Sequence, residues 1–231
     1  MCGAAQRRSL PANPESQMET HSAGPDTARA ALLRHGLRLE VFTIGWNVLE
    51  AIVAISAGYL AGSIALVGFG LDSVIESISG VALYRRLGGE MRDGKLDGDH
   101  QRERRALFFV GTSFFLIAAY VLFEAISSLW AREVPEHTTV GIGLAVASLV
   151  AMPLLGWSKL RTAKALGSRA LAADAMETFV CAYLSVALLL GLGLNSLLGW
   201  WWADPVAGLL MLPLIVHEGR EAIEAARADV D

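Results

Sequence analysis

The feature that most constrains this chain is the grouping of its apolar residues into long blocks, with the charged residues confined to the gaps between them. Hydrophobic residues make up 54% of the sequence and charged residues only 18%, whereas about a quarter of a soluble domain is charged. A block of about 20 apolar residues can cross a hydrocarbon core of about 30 Å. Six such blocks lie at about 41–61, 64–84, 106–128, 139–158, 170–193 and 199–217. The sequence therefore predicts an all-α, six-helix transmembrane bundle.

Lys and Arg residues alternate between the gaps. All but one of the 19 lie before residue 40, in the gaps 85–105 and 159–169, or after His217, while the other three gaps contain only Arg132. Because positive residues are retained on the cytoplasmic side, we expect a multi-pass integral membrane protein with both termini in the cytoplasm. The short tails and the lack of a targeting signal favour a plasma or bacterial inner membrane over an organelle membrane.

The segments outside the blocks define three regions. Residues 1–35 are expected to comprise a disordered cytoplasmic tail over residues 1–25, which are rich in Pro, Ser and Gly, and the start of an amphipathic helix at 28–38. Residues 36–219 form the six-span membrane domain, and residues 220–231 form a short cytoplasmic tail. The net charge of −4 argues against a nucleic-acid partner, which would require a basic face.

An internal repeat at an offset of 105 residues superposes the second block on the fifth. Gly62-Ser63-x-Ala65-Leu66 falls on Gly167-Ser168-x-Ala170-Leu171, and in the same register Asp72 falls on Glu177 and Glu76 on Cys181. Two spans lie between the two copies, so the copies cross the membrane in opposite directions. This pattern predicts an inverted repeat of three helices plus three, an architecture that places a site near the membrane midplane.

Each copy carries two potential metal ligands spaced i, i+4, which project from one helix face. Ionisable residues inside a membrane segment cost a few kcal/mol and usually have a function. Two facing pairs supply four ligands, for which we single out Asp72, Glu76, Glu177 and Cys181. The alternatives are that the carboxyl groups are neutral, hydrogen-bonded packing groups, and that Cys181 is a small hydrophobic residue.

These residues carry a resemblance to a known family. The strings from Gly62 to Glu76 and from Gly167 to Cys181 are similar to the second and fifth helices of the cation diffusion facilitator family of divalent-metal transporters, and the resemblance covers about residues 40–219. It implies that Asp72, Glu76, Glu177 and Cys181 occupy the four ligand positions for Zn²⁺ or a related ion, exchanged for protons by a homodimer.

Three departures from that family are expected to matter. The pairs read Asp/Glu and Glu/Cys, where the family usually has Asp or His followed by Asp. The fourteen residues after His217 are too few for the cytoplasmic C-terminal domain that members often carry, so the chain is interpreted as a short form. The loop between the fourth and fifth blocks has no His-rich stretch.

The chemistry of these residues predicts the substrate. A divalent ion requires deprotonated ligands, so its binding expels protons, which favours metal/proton antiport. The resemblance implies the direction, so the function we expect is efflux of a divalent transition metal. Carboxylates with one thiolate favour Zn²⁺ first and Fe²⁺ second, with Mn²⁺, Co²⁺ and Cd²⁺ as further candidates. We expect no prosthetic group and no enzymatic activity. The alternative is a membrane metal sensor or accessory subunit that binds metal without transporting it.

Other polar residues inside the blocks have secondary roles. Asn47 and Glu50 lie on one face of the first block and are candidates for lining the cavity or for interhelical hydrogen bonds. Asp174 is an alternative ligand or a packing group. Asp204, near the outer end of the sixth block, is expected to form structural hydrogen bonds.

Overall fold

The computed structural model describes residues 25–93, 100–132, 134–136 and 138–228. Within these ranges the chain forms six α-helices and no strand. They are α1 (Pro25–Ala61), α2 (Ile64–Asp93), α3 (His100–Ala131), α4 (Thr139–Leu166), α5 (Arg169–Leu198) and α6 (Ala203–Ala228). The prediction of an all-α bundle of six helices is confirmed.

Five of the described helices, α1 to α5, are long and apolar enough to cross a membrane. The sixth helix falls short of the same measure because Asp204 stands near its start and charged residues follow from Glu218 onward. The predicted sixth span is therefore present as a helix whose apolar stretch is shorter than those of the other five.

The helices extend beyond the predicted blocks, and the 85–105 gap is a correction. The charged gap is interpreted from the sequence as a loop, yet α2 continues to Asp93 and α3 begins at His100, while residues 94–99 lie outside the described ranges. Leu83 and Leu87 explain the extension of α2, because both are buried with Leu33 of α1 in an apolar cluster. Gly88 and Gly89 also lie within this part of α2. The burial of the two leucines outweighs the cost of about 1 kcal/mol for each glycine inside a helix.

The remaining boundaries differ in the same direction. Most of the 159–169 gap is helical, because α4 continues to Leu166. The amphipathic helix predicted at 28–38 is the first part of the continuous helix α1, and residues 220–228 continue α6. The segment predicted to be disordered, residues 1–25, lies outside the described residues apart from Pro25, where α1 begins.

The helices alternate in direction, so α1 begins and α6 ends at the same end of the bundle. We call this end the terminal end and the opposite one the far end. Helices α1, α2, α4 and α5 pack against one another, and α3 packs mainly against α6. The common core is apolar, with Leu66, Phe69, Met152 and Leu184 fully buried in it.

The two copies of the sequence repeat begin with the same local structure. Gly62 and Gly167 precede α2 and α5 with φ values of 65° and 68°, a left-handed conformation that glycine adopts without strain. The Ser63 hydroxyl then accepts a hydrogen bond from the Leu66 amide at 3.2 Å, and the Ser168 hydroxyl accepts one from the Leu171 amide at 3.3 Å. These serines are N-caps that fix where both helices start.

Candidate metal-binding site

Three of the four predicted ligands meet between α2 and α5. One ligand atom from each of Asp72, Glu76 and Cys181 lies within 4.8 Å of the other two. Asp72 and Glu76 are one turn apart on α2, and Cys181 faces them from α5. The side chain of Cys181 is fully buried, and Asp72 is nearly so. Two carboxylates and a thiol at this separation form a donor set that a single metal ion can bridge.

The fourth predicted ligand, Glu177, is not a member of this group among the described residues. It lies one turn before Cys181 on α5, where its Oε2 accepts a hydrogen bond at 3.2 Å from the hydroxyl of Ser79 on α2. The repeat therefore places Glu177 on the helix that carries Cys181, but its carboxylate bonds to Ser79 and is not part of the group of three.

Helix α1 contacts the site through Asn47. Its amide Nδ2 donates to Oε2 of Glu76 at 2.8 Å and thereby orients one of the candidate ligands. Its Oδ1 is buried and has no hydrogen-bond partner among the described residues. A buried amide oxygen without a partner is uncommon in a folded protein, and it marks this position as one where a cation or a water molecule can be accommodated.

Glu50 also contacts the site from α1. Its carboxylate accepts hydrogen bonds from Ser73 Oγ at 2.9 Å, from Ser148 Oγ on α4, and from the Cys181 thiol, with Sγ 3.8 Å from Oε2. Asn47 and Glu50 were candidates for lining the cavity or for interhelical hydrogen bonds. Both residues form interhelical hydrogen bonds, and neither is among the residues that line the cavity described next.

A cavity of about 460 Å³ lies at the terminal end, between α2, α5, α3 and α6. Asp72 and Glu76 form part of its wall, so the candidate ligands are reachable from this side. Its lining is strongly acidic and also includes Arg86; the carboxylates are those of Asp72, Glu76, Asp174, Glu177, Glu218, Glu221 and Glu224. Such a surface attracts cations and raises their local concentration.

Hydrogen bonds join the helices at the far end. Asp204 of α6 is fully buried and accepts from Ser63 Oγ at 2.5 Å and from the Ile64 amide at 2.9 Å. The structural role expected for Asp204 is therefore confirmed. The connection between α3 and α4 contributes a further bond, from the Asn195 amide to the carbonyl of Pro135 at 3.0 Å.

A buried ion-pair network near the cavity was not predicted. Lys159 of α4 was counted among the loop charges, but it is fully buried, with Nζ 2.5 Å from Asp174 Oδ2 and 3.2 Å from Glu40 Oε1. The sequence did contain a signal that α4 continues past its apolar block and carries Lys159 with it. No glycine or proline lies between Ser158 and Leu166. Asp174 is engaged by this lysine and lies outside the group of three.

Comparison with known proteins identifies the family of this chain. The chain matches the cation efflux transmembrane domain over residues 41–228. It is 30% identical over 179 residues to an uncharacterized transporter of Methanocaldococcus jannaschii, which covers 76% of this chain and 62% of that protein. It is 24% identical over 183 residues to a cadmium, cobalt and zinc/H(+)-K(+) antiporter of Bacillus subtilis, covering 78% of this chain and 57% of the relative.

The family match spans most of the chain, so the chain belongs to the cation efflux family. Together with five apolar helices, this membership makes it an integral membrane protein. The chain spans about three fifths of the length of these relatives.

Proposed function

We propose that this protein is a secondary-active efflux transporter for a divalent transition metal, and that Asp72, Glu76 and Cys181 bind the ion. The observation that carries the proposal is the position of this group. It is buried between two halves of an inverted repeat, it borders an acidic cavity at the terminal end, and hydrogen bonds close the far end behind it. A site accessible from one side at a time is what alternating-access transport requires.

The donor set favours particular ions. Two carboxylates and one thiol suit Zn²⁺ first and Fe²⁺ second, followed by Co²⁺, Cd²⁺ and Mn²⁺, and the thiolate disfavours Mg²⁺ and Ca²⁺. The Bacillus subtilis relative is a cadmium, cobalt and zinc/H(+)-K(+) antiporter, and all three of those metals belong to this set. Asn47, bonded to Glu76, would act as the outer partner that orients a ligand.

Proton exchange follows from the same chemistry. The Cys181 thiol donates a hydrogen bond to Glu50, and a thiol must lose its proton to bind a metal. Each ion that enters would therefore release protons, which makes metal/proton antiport the coupling we propose. With both termini in the cytoplasm, the acidic cavity would face the cytoplasm, and a homodimer in a plasma or bacterial inner membrane would export the ion.

The test is metal flux in proteoliposomes under a pH gradient, with Zn²⁺, Fe²⁺, Co²⁺, Cd²⁺ and Mn²⁺ offered separately and proton movement followed by an internal dye. We expect wild-type protein to exchange Zn²⁺ for protons and Asp72→Asn to lose the exchange. Glu136→Gln is the matched control, because it makes the same kind of carboxylate-to-amide change at an exposed position of the far end.

Two results would contradict the proposal. Zn²⁺ binding without flux in wild-type protein would indicate a sensor or accessory subunit. Unchanged flux in Asp72→Asn would place the site elsewhere in the molecule.

A further inference from the structure

The mechanism proposed above leaves the buried network of Glu40, Lys159 and Asp174 without a role. These residues come from three helices, α1, α4 and α5. The side chains of Lys159 and Glu40 are 1% and 0% exposed, while that of Asp174 is 11% exposed and forms part of the cavity wall. A buried ion network is weak evidence for stability, since desolvation opposes its formation, and this one borders the path to the candidate site.

The surroundings of Asp174 are those of a possible second cation site. Asp174, Glu177 and Cys181 follow one another at i, i+3 and i+7, so they share one face of α5. Across the cavity, Glu218 of α6 lies within electrostatic range of Glu177, as does Asp174. Three carboxylates therefore surround this part of the cavity, between its mouth and the group formed by Asp72, Glu76 and Cys181.

Lys159 already supplies a cation at this position. Its ammonium group donates a charge-assisted hydrogen bond to Asp174 Oδ2. The same lysine acts electrostatically on Glu177 and on Glu76. Glu40 of α1 also pairs with the ammonium, at 3.2 Å, so the lysine links α1 to Asp174, which forms part of the cavity wall.

We propose that Lys159 is an internal counter-ion that prevents Asp174 from ligating metal, so that the chain holds its ion at Asp72, Glu76 and Cys181 and not at the cavity wall. This inference rests on the proposed function. Its consequence is that an ion passes the carboxylates of α5 without being trapped there. Lys159 thus determines how many metal ions the cavity retains and, through that number, how quickly an ion reaches the buried group.

The experiment measures bound Zn²⁺ per chain by equilibrium dialysis and elemental analysis of purified full-length protein in nanodiscs. Wild-type protein is expected to bind about one ion, and Lys159→Met about two, because Asp174 and Glu177 become available together. Adding Asp174→Asn to Lys159→Met should return the number to about one. Lys159→Arg keeps the charge and should behave as wild type.

Zinc binding that stays at the wild-type number in folded Lys159→Met would overturn the inference. If Lys159→Met does not fold, the charge-balanced double variant Lys159→Met/Glu40→Gln replaces it, with the same expectation and the same contradicting result. If wild-type protein binds no Zn²⁺, or if Asp72→Asn binds as much as wild type, the proposed function is contradicted instead. Failure of this inference and failure of the proposed function therefore give different results.

Discussion

Helices α2 and α5 are the two copies of one repeat, and they differ in what they contribute to the candidate site. Both begin after a left-handed glycine and a capping serine. From α2, both repeat positions, Asp72 and Glu76, join the group of candidate ligands, whereas from α5 only Cys181 does. The difference shows that a repeat sets the start and the register of a helix, while partners on other helices decide where its carboxylates point.

Those partners are different for the two copies. Glu76 of α2 is oriented by Asn47 of α1, which lies directly behind the site. On α5, Asp174 is drawn to Lys159 of α4, and Glu177 accepts from Ser79 of α2. The acidic residues of α5 are therefore engaged on the terminal side of the group, and α5 meets the group only through its thiol.

The largest expected effect separates Asp72 from Glu177. Asp72→Asn removes a candidate ligand, and we expect Zn²⁺ transport to fall more than about 100-fold, beyond the loss that follows removal of an outer partner. Glu177→Gln should reduce transport less than about tenfold, because the amide still accepts from Ser79. Initial rates of Zn²⁺ flux in proteoliposomes measure the loss of transport in each variant. Equal losses in Asp72→Asn and Glu177→Gln would contradict this difference and show that the two repeat copies contribute symmetrically.

The next effect concerns the α1 partner of the α2 copy. Asn47→Ala removes the hydrogen bond to Glu76 and should weaken Zn²⁺ binding about 10- to 100-fold, which is typical for loss of a group that orients a ligand. Isothermal titration with Zn²⁺ measures the change in affinity. Thr43→Val on the same helix is a control, since the Thr43 hydroxyl bonds only to the carbonyl of Leu39 among the contacts described for it. Unaltered affinity in Asn47→Ala would mean that Glu76 needs no orienting partner.

A smaller effect distinguishes the two capping serines. Ser63 caps α2 and also donates to buried Asp204, so Ser63→Ala should cost about 2–4 kcal/mol through loss of the cap and of a partner for the carboxylate. Ser168 is half-buried and caps α5 alone, so Ser168→Ala should cost about 1 kcal/mol. Denaturant unfolding in detergent measures both. A larger loss in Ser168→Ala would contradict the assignment of the far end as the more tightly closed one.

The smallest expected effect is a change of preference among ions. In Cys181→Ser the site loses its soft ligand, so the ratio of Zn²⁺ to Mn²⁺ binding should fall, because carboxylate and hydroxyl oxygens favour the harder ion. Competition between the two ions in equilibrium dialysis measures this ratio. A ratio that does not change would mean that Cys181 is only a packing residue of α5.

Much of the fold could be predicted from local patterns. Apolar blocks gave six helices because crossing a membrane requires long uninterrupted stretches, and the repeat located Asp72, Glu76 and Cys181 on facing helices. The expectation of a loop was wrong over residues 85–93 and 100–105, which are helical. Hydropathy does not detect a helix that continues past its apolar region, as α2 does by burying Leu87 against α1.

The remaining features depend on contacts between distant residues. The pairing of Lys159 with Glu40 and Asp174 joins residues 119 and 15 positions apart in the chain, and no periodicity reports such a contact. For the same reason the sequence could not show that Glu177 bonds to Ser79, or that Glu50 accepts from Cys181. Register predicts which residues share a face, whereas the convergence of charged groups depends on how four helices pack.

The most direct test of the central claim is the absorption spectrum of the protein titrated with Co²⁺, which reports a metal–thiolate bond as a charge-transfer band in the near ultraviolet. We expect wild-type protein to develop this band, Glu177→Gln to keep it, and Cys181→Ser to lose it while remaining folded. A band absent from wild-type protein, or abolished by Glu177→Gln, would contradict a site formed by Asp72, Glu76 and Cys181.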